Sequence, residues 1–314
     1  MRQPAPRWVA AVVALAASAA LAACGETNER DASQQPQGAS LRITIGTQEF
    51  PEARIIGELW REALAVNGYA VDLRKGVGPA EDLDEALKDG DVDGYVAYTG
   101  TVLSIVAGEE VSGLDPQETY DRAKAFYAGQ DMVMSAMTPF QNKDAIATTR
   151  AYAETHSLRT IADLRDVDRF TLGARPEFES LYLGLEGLRE VYGLDNATFA
   201  PFALGEQYDA LDNGDADAVN AFTTDPQLGT GEYAVLEDPE LLFGSQNVVM
   251  VVGEDKLSSI DADAFMTVVD EVNSRLTEDA MVSMNAEVTE GGDDEAVAQS
   301  FLRSVGLMQP LDLD

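Results

Sequence analysis

Apolar and polar residues alternate along this chain with two different periods. Residues 41–46 (LRITIG) alternate in the manner of a strand, and the run that starts at Pro51 places apolar residues three and four positions apart. This second run predicts a helix that ends at Gly68. The pattern continues with a strand at 69–76, a helix at 81–91 and a strand at 93–98. Strands separated by helices of this length predict a parallel sheet with helical crossovers.

The same succession of patterns returns in the second half of the chain. Its members are a strand at 170–174, a helix at 180–193, a strand at 197–203, a helix at 208–215 and a strand at 218–222. We therefore expect an α/β protein that contains two similar units.

The second unit repeats part of the first without a gap. Residues 86–99 read ALKDGDVDGYVAYT and residues 210–223 read ALDNGDADAVNAFT. In open α/β sheets, ligands bind outside the carboxyl ends of the strands. We therefore predict that Tyr98 and Phe222, at the ends of the repeated strands, face one cleft. The shared Gly-Asp pairs are better explained as structural turns that Asp91 and Asp215 serve.

The composition describes a globular, strongly acidic protein. Of the 314 residues, 45% are hydrophobic, which is enough for a large core. There are 56 Asp and Glu against 21 Lys and Arg, so the formal net charge is −35. This excess repels nucleic acid, and no nucleic-acid partner is expected. Because the acidic residues are spread along the chain, a solvated surface is the simpler interpretation of them.

The first residues resemble a secretory signal. Residues 1–23 begin with two arginines, continue as a short apolar run and end in small residues. The final LAAC is similar to a bacterial lipobox, which predicts cleavage before Cys24 and lipid attachment to it. An unmodified cysteine is the alternative. The polar residues 24–40 predict a flexible tether, and the expected location is the extracytoplasmic face of the cell membrane.

The sequence offers little enzymatic machinery. His156 is the only histidine and Cys24 the only cysteine, which excludes an ordinary zinc site. A phosphate-binding glycine loop is also missing, and neither a metal nor a cofactor is expected. We therefore predict a binding protein rather than an enzyme. A surface α/β hydrolase that uses carboxylates, and a ligand-sensing lipoprotein not coupled to transport, remain as alternatives.

Four segments between residues 41 and 307 carry a family resemblance. They are GTQEFPEARIIGELW, YVAYTGT, TPFQNKDAIATTRAYAETHSLRTIADL and the stretch 176–225. In this order they resemble the substrate-binding proteins of osmoprotectant ABC importers, the glycine betaine, carnitine and choline family. The resemblance implies a periplasmic-binding-protein type II fold, with a hinge and a ligand cleft between two lobes. Lobe 1 would comprise 41–141 plus 247–314 and lobe 2 would comprise 142–246, with a membrane permease and an ATPase as partners.

The ligands of this family carry a quaternary ammonium, which aromatic rings hold by cation–π attraction. The resemblance places Tyr98 and Thr101 in the ligand site and Gln48 at the polar end of the ligand. Asn142 would come from the crossover between the lobes. Phe222 stands where the family usually has a cage tyrosine, so the ring is kept and the hydroxyl is lost.

Three positions depart further from the family pattern. Asn142-Lys143-Asp144 replaces a usual Asn-Thr-Tyr, and Gly244-Ser245-Gln246 stands where a tyrosine usually follows a proline pair. We include Asp144 and Gln246 among the candidate ligand-binding residues. The arginine that would clamp a ligand carboxylate aligns with Leu181.

These departures bear on the charge of the ligand. An ionised Asp144 facing the cleft would favour a net cation, which makes a choline-like alcohol the first choice and betaines the second. The alternative is that Asp144 pairs with Lys143 or Arg150 and that Arg175 replaces the lost clamp.

Overall fold

The strands and helices alternate in the predicted order over most of the chain. The structure is a computed structural model that describes residues 42–203 and 205–312. The predicted signal, Cys24 and the predicted tether lie outside the described residues. The strands are β1 (Arg42–Gly46), β2 (Ala70–Arg74), β3 (Gly94–Tyr98), β4 (Met132–Met134), β5 (Asp144–Thr149), β6 (Phe170–Ala174), β7 (Ala197–Pro201), β8 (Ala218–Phe222), β9 (Tyr233–Leu236) and β10 (Val248–Gly253).

Helices connect these strands and cover the sheets. The α-helices are α1 (Pro51–Val66), α2 (Ala80–Lys88), α3 (Thr99–Thr101), α4 (Pro116–Ala128), α5 (Arg150–His156), α6 (Gly187–Tyr192), α7 (Gln207–Asn213), α8 (Glu254–Leu257), α9 (Ala262–Arg275), α10 (Glu278–Thr289) and α11 (Asp294–Ser304). Short 3₁₀ segments occupy Ile161–Asp166, Pro176–Glu179 and Pro226–Thr230, and π-helical turns occupy Val102–Ala107 and Tyr182–Glu186. Within the described ranges, no helix is both long and apolar enough to span a membrane.

Two five-stranded sheets share one topology. Their strand orders are β2-β1-β3-β10-β4 and β7-β6-β8-β5-β9, so each strand of the first sheet has an equivalent in the second. The predicted parallel pairing is observed for β1 with β2 and β3, and for β6 with β7 and β8, whereas β10 and β5, which the patterns did not predict, run antiparallel to their neighbours. Each of these two strands enters its sheet directly from the other sheet, without a helical crossover that would turn the chain back.

The sequence repeat forms the same turn in both sheets. Gly90 and Gly214 each have a φ of +75°, which a residue with a side chain rarely adopts. The backbone N–H groups of Asp91 and Asp215 donate to carbonyls at the last turn of α2 and α7, each at 2.8 Å. The repeat is therefore a helix C-terminus followed by a buried strand.

The repeat also ties neighbouring strands together through a carboxylate. Asp93 accepts the N–H of Thr44 in β1 and Asp217 accepts the N–H of Thr171 in β6, both at 2.7 Å. Asp91 and Asp215 take part in the turn as expected, through their backbone N–H groups, and both residues are exposed.

The helix predicted at 180–193 is interrupted. Leu183 and Gly184 have non-helical backbone angles inside the π-helical turn, and regular helix begins only at Gly187. A Cβ atom on Gly187 would lie 2.1 Å from the carbonyl oxygen of Tyr182, so this close turn requires glycine. The interruption turns Leu183 towards the cavity described below.

Candidate functional site

One cavity of about 270 Å³ contains all of the predicted ligand-binding residues. The predicted residues that line it are Gln48, Tyr98, Thr101, Asn142, Asp144, Phe222 and Gln246, and the remaining lining residues are Phe50, Lys143, Leu183 and Phe243. The structure therefore brings the seven together, while their role in binding stays a prediction.

The cavity lies at the carboxyl ends of equivalent strands in the two sheets. Tyr98 ends β3 and Phe222 ends β8, as the repeat predicts. Asp144 begins β5 and pairs with Phe222 in the antiparallel register. The chain crosses between the sheets beside the same cavity, where Gln141 and Asn247 form an isolated bridge. Residues from both sheets and from both crossings therefore line the same cavity.

Tyr98 is a nearly buried residue whose hydroxyl contacts Glu52 and whose ring neighbours Phe50. Its exposed fraction is 5%, and its hydroxyl donates to Oε1 of Glu52 at 2.9 Å. The Phe50 ring lies 5.8 Å from it, at 39° between planes. Burial and the nearby Glu52 carboxylate hold the pKa of Tyr98 well above its usual range, so the hydroxyl stays protonated at neutral pH.

Glu52 is a residue of this site that the sequence reasoning missed. It is 2% exposed and accepts hydrogen bonds from Tyr98, from Asn142 Nδ2 at 2.9 Å and from Asn285 Nδ2 at 3.1 Å. Burial raises the pKa of its carboxyl, and the hydrogen bonds oppose that rise. A signal was present in the sequence, because Glu52 precedes Ile55 and Ile56 at helical spacing and so falls on the buried face of α1.

Gln246 and Thr101 both line the cavity and are joined by hydrogen bonds. Oε1 of Gln246 accepts the backbone N–H of Thr101 at 3.0 Å and its hydroxyl at 3.2 Å. Its neighbouring backbone is fixed as well, since Asn142 N–H donates to the Gln246 carbonyl at 3.1 Å. The Gln246 amide nitrogen retains two donor hydrogens, which suits a ligand oxygen.

Asp144 is paired, and its partner is Arg175. Nη1 and Nη2 of Arg175 donate to the two carboxylate oxygens at 2.8 and 3.3 Å, and Asn220 Nδ2 donates to one of them at 2.8 Å. The predicted alternative partners Lys143 and Arg150 do not make this contact. The carboxylate therefore lines the cavity with its charge balanced by a guanidinium.

Arg175 stands behind the cavity wall and does not line the cavity. Its guanidinium carbon lies 5.7 Å from the Phe222 ring centroid and 5.3 Å from that of Phe178. The Phe222 ring thus already lies close to a cation that belongs to the protein. Leu181, where the family clamp aligns, is 41% exposed and is not a lining residue.

A second cavity of about 450 Å³ adjoins the first. The two share Phe50, Asn142 and Phe222, and the second extends to Asn285 on α10. The second cavity is the larger of the two, and its lining is more apolar than that of the first.

Two equivalent α/β sheets with a polar and aromatic cavity at their strand ends define a class of protein that captures small solutes. A family model described as the substrate binding domain of ABC-type glycine betaine transport systems, OpuAC, matches residues 42–304. The chain belongs to this family. The family consists of solute-binding domains, which confirms the prediction that the chain is not an enzyme and removes the hydrolase alternative.

Two curated relatives are similar over most of this chain. One is the ergothioneine transport permease/ergothioneine binding protein EgtU of Helicobacter pylori (strain G27), 21% identical over 84% of this chain. The chain spans about half (48%) of the length of that relative. The other is the carnitine transport binding protein OpuCC of Listeria monocytogenes serotype 1/2a (strain 10403S), 23% identical over 83% of this chain and 86% of the relative.

The fold is shared with a solved structure of a glycine betaine/carnitine/choline ABC transporter. The TM-score is 0.79 at 23% identity, and the likeness covers 85% of this chain and all of the other. The predicted two-lobed type II periplasmic-binding-protein fold is confirmed.

Proposed function

We propose that this protein is the extracytoplasmic binding component of an ABC importer and captures a small solute that carries a quaternary ammonium. The observation that carries the proposal is the cavity formed jointly by the strand ends of both sheets, in a chain of the glycine betaine family. At about 270 Å³ the cavity is just below the roughly 300 to 1,000 Å³ typical of drug-sized ligands, so it suits a metabolite.

The chemistry of the lining supports a cation with a methylated head. Four aromatic rings line the cavity, at Phe50, Tyr98, Phe222 and Phe243, and such rings attract a cation that cannot donate strong hydrogen bonds. Amide and hydroxyl groups at Gln48, Thr101 and Gln246 supply partners for a polar tail.

The charges near the cavity admit a zwitterion as well as a cation. Asp144 is balanced by Arg175, so it no longer argues for choline over a betaine. Lys143 lines the same cavity and provides a positive charge for a carboxylate. The proposed ligands are therefore betaine-type zwitterions and choline, with betaines bound at least as well as choline.

A titration of four probes tests this proposal. Choline, glycine betaine, carnitine and ergothioneine are added in turn, and binding is measured by calorimetry and by thermal shift. A ligand at a hundred times its dissociation constant stabilises the protein by about 2.7 kcal/mol. We expect at least one probe to bind, and 3,3-dimethyl-1-butanol, the uncharged isostere of choline, to bind much more weakly than choline.

Matched variants at Phe222 locate the binding in this cavity. Phe222→Leu removes the ring and should weaken binding by about 0.5 to 2 kcal/mol, whereas Phe222→Tyr keeps the ring and should bind as the wild type does. Absence of binding by all four probes, or equal binding of choline and its uncharged isostere, would overturn the proposal.

We further propose a permease and an ATPase as partners and a lipid anchor at Cys24. The family match supports the first, and the LAAC sequence that precedes a polar stretch supports the second. Mass spectrometry of protein extracted from membranes should find an acylated Cys24 as the first residue. Full-length protein with an unmodified cysteine, released in the soluble fraction, would contradict the anchor.

A further inference from the structure

Arg175 lies close to three residues on one side of the cavity, Asp144, Asn220 and Phe222. It forms a bidentate ion pair with Asp144 and donates to Oδ1 of Asn220, and its guanidinium carbon lies 5.7 Å from the centroid of the Phe222 ring. Asp144 and Phe222 line the cavity, whereas Arg175 opens to a separate surface hollow beside Pro176 and Phe202. A ligand in the cavity would thus meet Asp144 and Phe222, whereas Arg175 is not among the lining residues.

We infer that Arg175 is a positioning residue that sets the charge preference of the cavity by neutralising Asp144 from behind its wall. The inference rests on the proposed function and deepens it. The pair is only partly open to solvent, with side-chain exposures of 22% for Arg175 and 21% for Asp144, so water screens it incompletely. When Arg175 is present, a ligand experiences the Asp144 carboxylate as one end of a dipole. When Arg175 is removed, the ligand experiences the carboxylate as a full negative charge.

A full charge and a dipole select different ligands. An uncompensated anion attracts a net cation such as choline, whereas its attraction for one end of glycine betaine is offset by repulsion of the other end. The ratio of choline affinity to betaine affinity therefore reports the net charge of this wall. Lys143 and Glu52 also contribute to the field, but they are the same in every variant compared and cancel in the change of that ratio.

The test is a double-mutant cycle read out as the choline-to-betaine affinity ratio. Arg175→Gln should raise the ratio by about tenfold, because the Asp144 charge is no longer balanced. Asp144→Asn should lower the ratio, because the arginine is then the unbalanced charge. The double variant Arg175→Gln/Asp144→Asn should return the ratio towards the wild-type value.

Arg175→Lys is the matched control. It keeps the positive charge and loses the planar, bidentate geometry, so it should retain a ratio near the wild-type value even where it lowers the melting temperature. A purely structural role would predict the opposite, namely that lysine and glutamine variants lose affinity for both ligands alike.

The outcomes separate this inference from the proposed function. If the wild type binds none of choline, glycine betaine, carnitine and ergothioneine, the proposed function fails and the inference fails with it. If it binds carnitine or ergothioneine but neither choline nor glycine betaine, the inference alone is overturned. If the wild type binds and the ratio stays unchanged in both single variants, the inference alone is overturned. Should Arg175→Gln not fold, Asp144→Asn and Arg175→Lys still decide, since they predict a lowered and an unchanged ratio.

Discussion

At the scale of single residues, Glu52 joins parts of the chain that are far apart in sequence. Its carboxylate accepts hydrogen bonds from Tyr98 on β3, Asn142 in the crossing and Asn285 on α10. Two of these donors line the cavity, so Glu52 determines how their side chains are oriented. A buried carboxylate is costly unless its oxygens are satisfied, which explains why it has several donors.

The buried carboxyl predicts a specific dependence of stability on pH. Burial raises the pKa of Glu52 above 4.5 in the folded protein, so between 4.5 and the raised value the folded state binds more protons than the unfolded state. The contribution of Glu52 to the free energy of unfolding should therefore fall as pH rises through this window. Glu52→Gln cannot titrate, so the stability of the wild type relative to this variant should decline from pH 4.5 upwards in urea denaturation.

Glu49→Gln is the control for that measurement. Glu49 is exposed and lies three residues earlier in the chain, so this variant removes the same formal charge without the burial. Its stability difference from the wild type should vary little over the same range. A Glu52→Gln difference that is equally flat would show that folding does not raise the pKa of Glu52.

At the scale of elements, the repeated helix–turn–strand unit is held by a carboxylate in each sheet. Asp93 and Asp217 occupy equivalent positions and accept the N–H of a residue in the adjacent parallel strand. Asp93 also lies 3.3 Å from Lys256, whereas no such ion pair is seen for Asp217 among the described residues. The contribution of this hydrogen bond to stability is therefore easier to isolate at Asp217, in the second sheet.

Removing that carboxylate should destabilise the fold and leave the cavity intact. Asp217→Ala leaves the N–H of Thr171 without its partner, and we expect a loss of about 1 to 3 kcal/mol in the free energy of unfolding. Asp215→Ala removes an exposed carboxylate two residues earlier and should change stability by less than about 0.5 kcal/mol. Chemical denaturation compares the two; equal losses would mean that the tie to β6 contributes nothing.

At the scale of the whole molecule, the two sheets are connected twice, close to the cavity. The chain passes from β4 to β5 and from β9 to β10, and the bridge between Gln141 and Asn247 joins the two crossings. We propose that these crossings form a hinge between lobe 1 (41–141 plus 247–314) and lobe 2 (142–246). Hinge closure around a ligand is common in binding proteins of this architecture.

Closure predicts that ligand makes the molecule more compact. Small-angle scattering of the wild type should show a smaller radius of gyration at a saturating concentration of whichever probe binds. At the same probe concentration, Phe222→Leu should show a smaller decrease than the wild type, because it binds the probe more weakly. Identical curves for free and saturated wild type would contradict a hinge.

Local sequence patterns were sufficient to predict most of the strands and helices and much of the candidate site. Strand β6 and strand β8 have the predicted bounds, and α1 begins at the predicted Pro51, because alternation, helical spacing and a proline start depend only on neighbouring residues. The repeat placed Tyr98 and Phe222 at strand ends, and the carboxyl ends of parallel strands meet at one edge of a sheet. Family resemblance added Gln48, Thr101 and Asn142, which line the same cavity.

Tertiary packing decided the antiparallel strands, the partner of Asp144 and the donors to Glu52. Each depends on residues that are distant in the chain: Arg175 lies 31 positions from Asp144, and Asn285 lies 233 positions from Glu52. A period of two or 3.6 residues indicates which face of an element is buried, but not which side chain from another element meets it there. The sequence shows that Asp144 can carry a charge, but it does not show the partner of that charge. Only the folded chain brings the guanidinium of Arg175 to within 2.8 Å of the Asp144 carboxylate.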